Sequence, residues 1–575
     1  MKRYLFFITM LLALSLNGFG QSKGIKVEIL SDSHALLRVE STGKFLLLPV
    51  EEQAEICNIN VLSNLDVVQS LNVRLAVNKI DYYVPFDLMR FQDKNVLLDI
   101  KSKANARNEA PLKNYVCWKS LEFADSFSLA NKEKYRPAIH HTPAYGWMND
   151  PNGMFYRDGV WNLYFQHNPY GSQWENMTWG HSTSKDLIHW NNEGDAVYPD
   201  ALGTVFSGSA VIDSNNTAGF GRGAIVAMYT SAKENQTQSI AYSTDGGKTF
   251  SKYTGNPVLT SDVPDFRDPK MFWNEDIKAW NLILAAGQEM RIYSSNNLLD
   301  WHYESSFGSG YGSHDGVWEC PDLMKIHSED GDKWVLICNI NPGGPAGGSA
   351  TQYFIGTFDG HTFVCQNPAK GESPLWMDYG KDHYATVTFS NAPQGRHVAM
   401  AWMSNWQYSN QVPTMQYRSA NSLPRDLSLY NYSGKTYLAC KPSKEVDAAR
   451  GKKVSKLQDV CEILVKIKSQ TRPTTISLSN KKGEEVVMSY NPKQGKFSMN
   501  RSNSGIVSFS EEFKTQTVAP AYGEIKELRI FIDKCSIEAF DSDGKMVMTN
   551  LVFPTEPYSI LRIDGKASAS IYQVK

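Results

Sequence analysis

The feature that most constrains the fold of this chain is the near absence of helical periodicity. Short runs of alternating apolar and polar residues dominate instead, separated by Gly, Asn, Asp and Pro. Residues 528–532 alternate in this way, and Asp543-Gly544 predicts a hairpin turn between Ile537–Phe540 and Met546–Met548. Period-two alternation bounded by turn residues predicts strands, so the sequence predicts an all-β protein.

The composition and the residue pattern change along the chain. Its 575 residues are too many for one ordinary domain. Residues 21–135 hold short strand-like runs, residues 136–430 are rich in aromatics, Gly, Asn and Pro, and residues 455–575 alternate cleanly. We expect three β-domains over these ranges. Residues 431–454 are predicted to be a linker, with a short helix at Lys444–Arg450.

The middle region contains an internal repeat. Four times, a strand-like run is followed by a polar Ser/Thr, Asp or Asn turn and then by an aromatic that opens the next run. The four aromatics are Trp190, Phe250, Trp301 and Phe363, at intervals of 60, 51 and 62 residues. A hairpin recurring at this period is typical of propeller blades. The alternative is a run of ordinary hairpins in a sandwich, but the shared turn pattern favours the propeller.

The first residues have the pattern of an export signal. Lys2-Arg3 precedes the apolar stretch Leu5–Leu16, and Gly18-Phe19-Gly20 supplies small residues at a cleavage position. This pattern predicts a secretory signal peptide over residues 1–20. The alternative, an anchor helix, would need roughly 20 apolar residues. With no cysteine just after the cleavage position, we expect an exported, soluble protein, periplasmic or secreted.

Composition excludes several classes of function. Lys and Arg number 58 and Asp and Glu 60, so the net charge of −2 does not suit a nucleic-acid binder. The eight cysteines form no CxxC pair and no zinc-type spacing, and His140-His141 has no matching ligands nearby, so no metal site is predicted. The even cysteine count permits disulfides, but we expect most of these residues to be small buried side chains. Phosphate-binding and GxSxG motifs are absent, and no cofactor is expected.

Three acidic residues stand in unusual surroundings. They are Asp150 within Trp147–Gly153, Asp268 within Phe266–Pro269, and Glu319 within Trp318–Asp322. Each lies beside aromatic, Pro or Gly residues, where a carboxylate loses hydration and its pKa rises unless a cation or N–H donors stabilise the charge. One such acid would indicate a turn. Three in one β-region predict a shared central pocket, and paired carboxylates are what glycoside hydrolysis requires.

These motifs resemble those of glycoside hydrolase family 32, the invertases, inulinases and levanases that cleave β-fructofuranosidic bonds. Trp147–Gly153 carries the family signature, Arg267-Asp268-Pro269 its RDP motif and Glu319-Cys320 its EC motif. Further matches are Tyr164-Phe165-Gln166, Trp179-Gly180-His181, Phe206-Ser207-Gly208-Ser209, Trp402–Tyr408 and Asn421–Arg425. The resemblance covers about residues 136–575 and is strongest to bacterial exo-acting levanases and exo-inulinases.

The resemblance implies a five-bladed β-propeller followed by a β-sandwich, with residues 21–135 as an extra N-terminal β-domain. That region is similar to an accessory domain of some bacterial members, and its role stays open between carbohydrate binding and packing. By motif position, Asp150 is the nucleophile and Glu319 the general acid/base. Asp268, expected to stay ionised, would bind fructose hydroxyls and stabilise the transition state. The implied pocket residues are Asn149, Gln166, Trp174, Ser207, Arg267 and Trp406, with Trp402 close enough to be confused with Trp406.

The expected activity is that of a retaining, exo-acting β-fructosidase that releases fructose from levan, inulin, fructo-oligosaccharides or sucrose. The alternatives are an endo-acting levanase or inulinase, a sucrose-specific invertase, and a non-catalytic fructan-binding protein on the same fold. The presence of all three acids argues against the last, because a binding protein has no need of both a nucleophile and an acid. Apart from substrate we expect no partner, neither nucleic acid nor membrane, and at most weak self-association.

Overall fold

The computed structural model describes residues 24–40, 43–64, 66–91, 95–103, 110–127 and 133–575. The predicted signal peptide, residues 1–20, lies outside the described residues. The chain divides into two compact units, one of residues up to 130 with Pro169–Gly171 and one holding the rest. In the part of the chain that is described, no helix is long and apolar enough to cross a membrane.

The first unit is built from two sheets with an apolar core. One sheet has the strand order β1-β2-β7-β4-β5 and the other β6-β3-β8. The strands are β1 Ile25–Ser31, β2 His34–Glu40, β3 Phe45–Val50, β4 Cys57–Ser63, β5 Asp66–Val73, β6 Tyr82–Asp87, β7 Asn95–Lys101 and β8 Glu122–Ala124, with short 3-10 helices at Leu112–Asn114 and Val116–Lys119. Leu37 on β2, Val61 on β4 and Leu98 on β7 are buried at alternating positions, so these three strands turn an apolar face inward.

Residues 146–442, all of them described, form five four-stranded antiparallel blades. The first two consist of β9 Gly146–Arg157, β10 Val160–Asn168, β11 Thr178–Ser184 and β12 Trp190–Val197, and of β13 Thr204–Asp213, β14 Ala224–Ala232, β15 Gln236–Ser243 and β16 Ser251–Lys252. The third and fourth consist of β17 Phe266–Asn274, β18 Ala279–Ala286, β19 Glu289–Ser295 and β20 His302–Phe307, and of β21 Val317–Ser328, β22 Gly331–Asn341, β23 Ala350–Phe358 and β24 Phe363–Asn367, which the short β25 Leu375–Trp376 extends. The fifth consists of β26 Tyr384–Thr388, β27 Val398–Trp402, β29 Arg425–Tyr432 and β30 Lys435–Pro442, while β28 Tyr417–Arg418 pairs with β9.

The predicted repeat marks the outermost strands of the first four blades. Trp190 and Phe363 open such strands, and Phe250 and Trp301 directly precede them. In the first three turns a serine hydroxyl donates to the acid or amide two residues later, as Ser243 does to Asp245 at 2.7 Å. These local bonds fix the turn and therefore recur in sequence. The propeller prediction is confirmed.

The C-terminal region is a sandwich of two antiparallel sheets around an apolar core. The orders are β31-β41-β32-β37-β38-β39 and β36-β35-β34-β33-β40. The strands are β31 Arg450–Val454, β32 Cys461–Ile467, β33 Thr474–Ser479, β34 Glu485–Asn491, β35 Lys496–Asn503, β36 Gln516–Pro520, β37 Glu527–Asp533, β38 Ser536–Asp541, β39 Val547–Leu551, β40 Ile560–Asp564 and β41 Ala567–Val574. A 3-10 helix at Glu511–Phe513 precedes β36.

The predicted linker over 431–454 is wrong for most of its length. Strand β30 pairs with β29 along its whole length and completes the fifth blade. Four successive residues in it, 437–440, are buried, because it packs in one core with Phe531 and Phe540 of the sandwich. A strand covered on both faces shows no alternation, which hid it in the sequence. The helix α1, Lys444–Ala448, lies within the helix predicted at 444–450.

Candidate active site

In every blade, the innermost strand carries a β-bulge within its first five residues. The residues that the register skips are Asn149-Asp150, Phe206-Ser207, Asp268-Pro269, Cys320-Pro321 and Ala385-Thr386. Three of them, Asp268, Cys320 and Ala385, have φ of 63°, 42° and 55°, in the left-handed region. A bulge bends its strand and changes the direction of its side chains, and bulges are frequent beside active sites. The predicted acids lie in or next to these bulges.

The bulges of the first four blades bring their side chains into contact. The Ser207 hydroxyl donates to Asp150 Oδ2 at 2.7 Å. The backbone N–H of Cys320 donates to Asp268 Oδ2 at 2.9 Å. The Cys320 Sγ lies 3.5 Å from Asp150 Oδ2 and 3.5 Å from Asp268 Oδ2, so one thiol bridges the two aspartates. Residues from four separate blades therefore meet at the centre of the propeller.

Glu319 joins this group through Arg267. Arg267 Nη2 donates to Glu319 Oε1 at 2.9 Å, and its Nε lies 3.9 Å from Asp268 Oδ2. Asp265 holds the other end of the guanidinium at 2.5 Å. The second carboxylate oxygen of Glu319 accepts a hydrogen bond from the Tyr384 hydroxyl, on the fifth blade. The three predicted acids thus share one site, and Arg267 is placed between two of them.

Negative charge exceeds positive charge in this site. Burial raises the pKa of Asp150, and the charge of Glu319 adds to the rise, while hydrogen bonds from Ser207 and Asn149 oppose it. Burial also raises the pKa of Asp268, to about 7; Arg267 opposes the rise, and the negative charges of Glu319 and Asp150 add to it. Asp268 is therefore only partly ionised in the free protein at neutral pH, because one guanidinium does not offset burial and two neighbouring carboxyl groups. That it is ionised with substrate bound stays a prediction.

Two predicted pocket residues have defined polar partners. Asn149 donates from Nδ2 to Asp150 Oδ1 at 3.0 Å and accepts from Trp147 Nε1 at 2.8 Å, so Trp147 fixes its orientation. Gln166, buried on β10, donates to the backbone carbonyl of Val205 at 3.0 Å. Asn149 thus orients Asp150 directly. Gln166 instead bonds to the backbone of β13, the strand that carries Ser207.

Aromatic rings line one side of the site. Trp406 stacks on Trp147 with 5.8 Å between ring centroids and 23° between planes. It is partly exposed, whereas Trp402 is 0% exposed and lies beneath it, which separates the two tryptophans that the sequence left ambiguous. Trp174 is 39% exposed. Its ring packs edge-on against Trp406 and Phe206, with 6.4 Å and 6.1 Å between ring centroids. An exposed tryptophan at such a place offers a flat apolar surface to a sugar ring.

Two residues of the site were missed from sequence. Tyr384 was not singled out, because its segment carries no motif like those around the three predicted acids and the fifth blade lacks the repeat that marks the others. Cys320 was treated as a buried apolar residue, although it contacts both aspartates. The usable signal was its place inside Glu319-Cys320-Pro321, in line with Asp268-Pro269 of the previous blade.

The adjacent histidines have structural partners. His140 lies 2.8 Å from both Asp533 and Glu538 of the sandwich, and His141 lies 2.7 Å from Asn421. All eight cysteines are free thiols, and all but Cys365 are buried. In the described part of the chain, no group of three or more His, Cys, Asp or Glu side chains could hold a metal ion.

Comparison with known proteins places the chain among carbohydrate-active enzymes. The family described as "Glycosyl hydrolases family 32 N-terminal domain" matches residues 140–442, and its C-terminal counterpart matches residues 435–574. Residues 31–139 match a domain of unknown function, DUF4980. A levanase from Bacillus subtilis is 44% identical over 456 residues, which cover 73% of this chain and 67% of the levanase. An extracellular exo-inulinase from Aspergillus awamori is 34% identical over 74% of this chain and 90% of its own length.

Solved structures agree with this relationship. A crystal structure of the Aspergillus awamori exo-inulinase superimposes with a TM-score of 0.72 at 32% identity, covering 78% of this chain and 99% of that one. A fructofuranosidase from Schwanniomyces occidentalis in complex with fructose superimposes with a TM-score of 0.69 at 33% identity, covering 78% and 100%. The chain therefore belongs to glycoside hydrolase family 32.

Proposed function

We propose that the protein is a retaining β-fructofuranosidase that hydrolyses fructans from the chain end and releases fructose. The observation that carries this proposal is the convergence of Asp150, Asp268 and Glu319 from three blades, in a chain 44% identical to a levanase. A nucleophile and an acid/base in one site are what retaining hydrolysis needs. The acid pair also disfavours the second candidate, a non-catalytic fructan-binding protein.

Asp150 is the nucleophile. Its carboxylate attacks the anomeric carbon of the terminal fructosyl unit, and the bond from that carbon to the leaving oxygen breaks, which leaves a fructosyl ester on Asp150. Ser207 and Asn149 each donate to one of its oxygens. These bonds hold the carboxylate in one orientation and stabilise its charge before attack.

Glu319 is the general acid/base. It gives its proton to the leaving oxygen while the ester forms, and later takes a proton from the water that attacks the ester. Arg267 and Tyr384, on the two blades that flank the blade of Glu319, contact its two oxygens and fix the carboxyl group. Proton transfer is efficient only when the group lies within hydrogen-bonding reach of the reacting oxygen, and these contacts supply that placement.

Asp268 acts on the transition state. Positive charge develops on the anomeric carbon and ring oxygen as the bond breaks, and a fixed carboxylate nearby stabilises it. In the free protein its pKa is raised to about 7. Sugar hydroxyls that donate to it lower that pKa, so substrate binding itself promotes the ionised form.

The test is incubation with levan, inulin and sucrose while the product lengths are followed over time. Fructose alone from the first time points is expected. A ladder of oligomers would indicate endo action instead of exo action, and cleavage of sucrose alone would indicate an invertase. Binding without cleavage of any of the three would overturn the proposal in favour of a binding protein.

We further propose that the mature protein is exported and is a monomer or a weak oligomer. The Leu5–Leu16 segment and the extracellular exo-inulinase relatives support export. Cell fractionation with N-terminal sequencing should recover a chain that starts near residue 21 outside the cytoplasm. Recovery only in a fraction that needs detergent would contradict this.

A further inference from the structure

We infer that the C-terminal sandwich supplies part of the binding site for the leaving group: Glu512, together with Gln407, forms an outer subsite for fructosyl units beyond the scissile bond. The inference rests on the proposed function and deepens it. The ligand class is a β-linked fructose oligomer, in preference to sucrose.

The subsite lies on the leaving-group side of the site. The loop of residues 342–349 joins β22 to β23, and its preceding residue Asn341 pairs with Val317, two positions before Glu319. The loop is therefore at the same end of the fourth blade as Glu319. Because Glu319 protonates the leaving oxygen, the rest of the leaving group must extend over this side.

The loop is fixed to the neighbouring blade. Lys381 Nζ donates to the carbonyl of Ala346 at 2.9 Å, and the backbone N–H of Trp406 donates to Ser349 Oγ at 3.1 Å. Gly348 has a φ of 70°, and a Cβ there would lie 2.2 Å from Asn405 Oδ1, so only glycine permits this approach. The loop and Trp406 thus form one rigid wall.

The sandwich reaches this wall through Glu512. Gln407 Nε2 donates to Glu512 Oε2 at 3.2 Å. Gln407 directly follows Trp406, which lines the site. The Gln407 Oε1 atom is buried and has no hydrogen-bond partner among the described residues. The Glu512 side chain is 60% exposed and can accept further hydrogen bonds.

A buried group of residues holds Glu512 in place. Arg501 donates from Nε to the carbonyl of Phe513 at 2.9 Å, and its guanidinium lies 3.8 Å from the Phe513 ring centroid. The same guanidinium contacts Asp382 at 2.5 Å and the Tyr408 hydroxyl at 2.8 Å. Asp382 and Tyr408 directly follow Lys381 and Gln407. The sandwich segment is therefore fixed against the two residues that support the wall, which is the preorganisation that binding requires.

The Glu512 carboxylate makes only weak contacts with its two polar neighbours, Gln407 Nε2 at 3.2 Å and Lys381 Nζ at 3.9 Å. Its nearest cation, Lys381 Nζ, is 3.9 Å away and already bonded to Ala346. Lys381 is buried, but at 3.9 Å it makes no hydrogen bond to the Glu512 carboxylate, whose side chain stays 60% exposed. A fructan offers several hydroxyl donors per unit, and a hydrogen bond from a hydroxyl to a carboxylate is among the stronger types. Binding of extended substrate is therefore the role that fits this carboxylate.

The test compares an inulin-type tetrasaccharide with sucrose in wild type, Glu512→Ala, Glu512→Gln and Glu511→Ala. We expect Glu512→Ala to lower the ratio of kcat/KM for the tetrasaccharide to that for sucrose about tenfold, mainly through KM, because one charge-assisted hydrogen bond is lost. Glu512→Gln keeps an acceptor oxygen and should lower the ratio about threefold. Glu511 is the matched control: it is adjacent, 83% exposed and paired with Lys514. Its replacement should leave the ratio within about twofold of wild type.

Thermal midpoints of all four proteins check that folding is unchanged. An unchanged ratio in Glu512→Ala, or an equal fall for both substrates, overturns the subsite although the proposed function stands. Wild type that cleaves neither substrate overturns the proposed function and the subsite with it. A fall of the ratio in Glu511→Ala as large as in Glu512→Ala would show a general effect of the segment and would also overturn it.

Discussion

Two buried clusters of charged side chains in the second unit behave in opposite ways. The cluster that we propose to be catalytic consists of Asp150, Asp268, Glu319 and Arg267, and is called the catalytic cluster below. The interface cluster, between the propeller and the sandwich, consists of His140, Asp378, Arg425, Asp533 and Glu538. Each has three carboxyl groups. The first has one cation, whereas the second has Arg425 and His140.

The pKa values show what this difference does. Burial alone would raise the pKa of Glu538, but Arg425 and His140 outweigh it and lower the value to about 2. Burial lowers the pKa of His140, but Asp533 and Glu538 outweigh it and raise the value to about 9. In the catalytic cluster, burial and like charge raise the pKa of Asp268 to about 7. Burial therefore does not decide whether a carboxylate is ionised; the number of donors and cations around it does.

The first test of the comparison removes the proposed nucleophile. Asp150→Asn should lower kcat about 10⁴–10⁶-fold, because the fructosyl ester cannot form. The midpoint of thermal unfolding should not fall, since one of three crowded carboxyl groups is lost. A large drop in that midpoint would show that the catalytic cluster, like the interface cluster, serves stability.

The second prediction reverses the pattern. Glu538→Gln leaves Arg425 and His140 with one fewer negative partner, so the free energy of unfolding should fall by about 3–5 kcal/mol. The kcat of the protein that stays folded should be close to wild type. Glu511→Gln, on the surface, should change stability by about 0.5 kcal/mol or less and serves as the control. A loss of kcat in folded Glu538→Gln would contradict a purely structural role.

The third prediction separates transition-state stabilisation from binding. Asp268→Asn should lower kcat about 10²-fold or more with a much smaller change in KM, because the lost interaction belongs mainly to the transition state. Steady-state kinetics on sucrose and inulin measure both constants. A raised KM with unchanged kcat would make Asp268 an ordinary binding residue.

Sequence alone predicted those parts of the fold and the site that depend on residues close together along the chain. The acids at 150, 268 and 319 are flanked by contiguous motifs, and the blade turns close through hydrogen bonds between near neighbours, so both could be predicted. Tyr384 contacts Glu319 only when the fifth blade closes against the fourth. Glu512 lies 105 positions from Gln407 and has no local pattern. Such contacts form only in the tertiary fold. Strand β30 was not predicted either, because the fold buries both of its faces and so removes the alternation that marks a strand in sequence.

The fourth and smallest prediction concerns pH. The pKa of Asp268 is raised from 3.8 in the unfolded chain, so its favourable contribution is complete below about pH 4 and is lost as pH rises through 7. The pKa of Glu538 is lowered from 4.5, so its contribution exists above that value and is lost as pH falls through about 2. Denaturation midpoints against pH should show a flatter slope between pH 4 and 7 in Asp268→Asn. Glu538→Gln should instead flatten the pH dependence at acidic pH. An identical effect of both substitutions would contradict the difference between the two clusters.

The central claim is that the catalytic cluster makes a covalent bond through Asp150, with Glu319 as acid and base. The direct measurement uses Glu319→Gln with an aryl β-fructofuranoside, whose leaving group needs no proton. Without its base, the variant should form the ester quickly and hydrolyse it slowly. Mass spectrometry of the quenched, digested protein should then find one hexosyl unit on the peptide that contains Asp150. Turnover without any such adduct, or an adduct on the Asp268 peptide, would contradict the account.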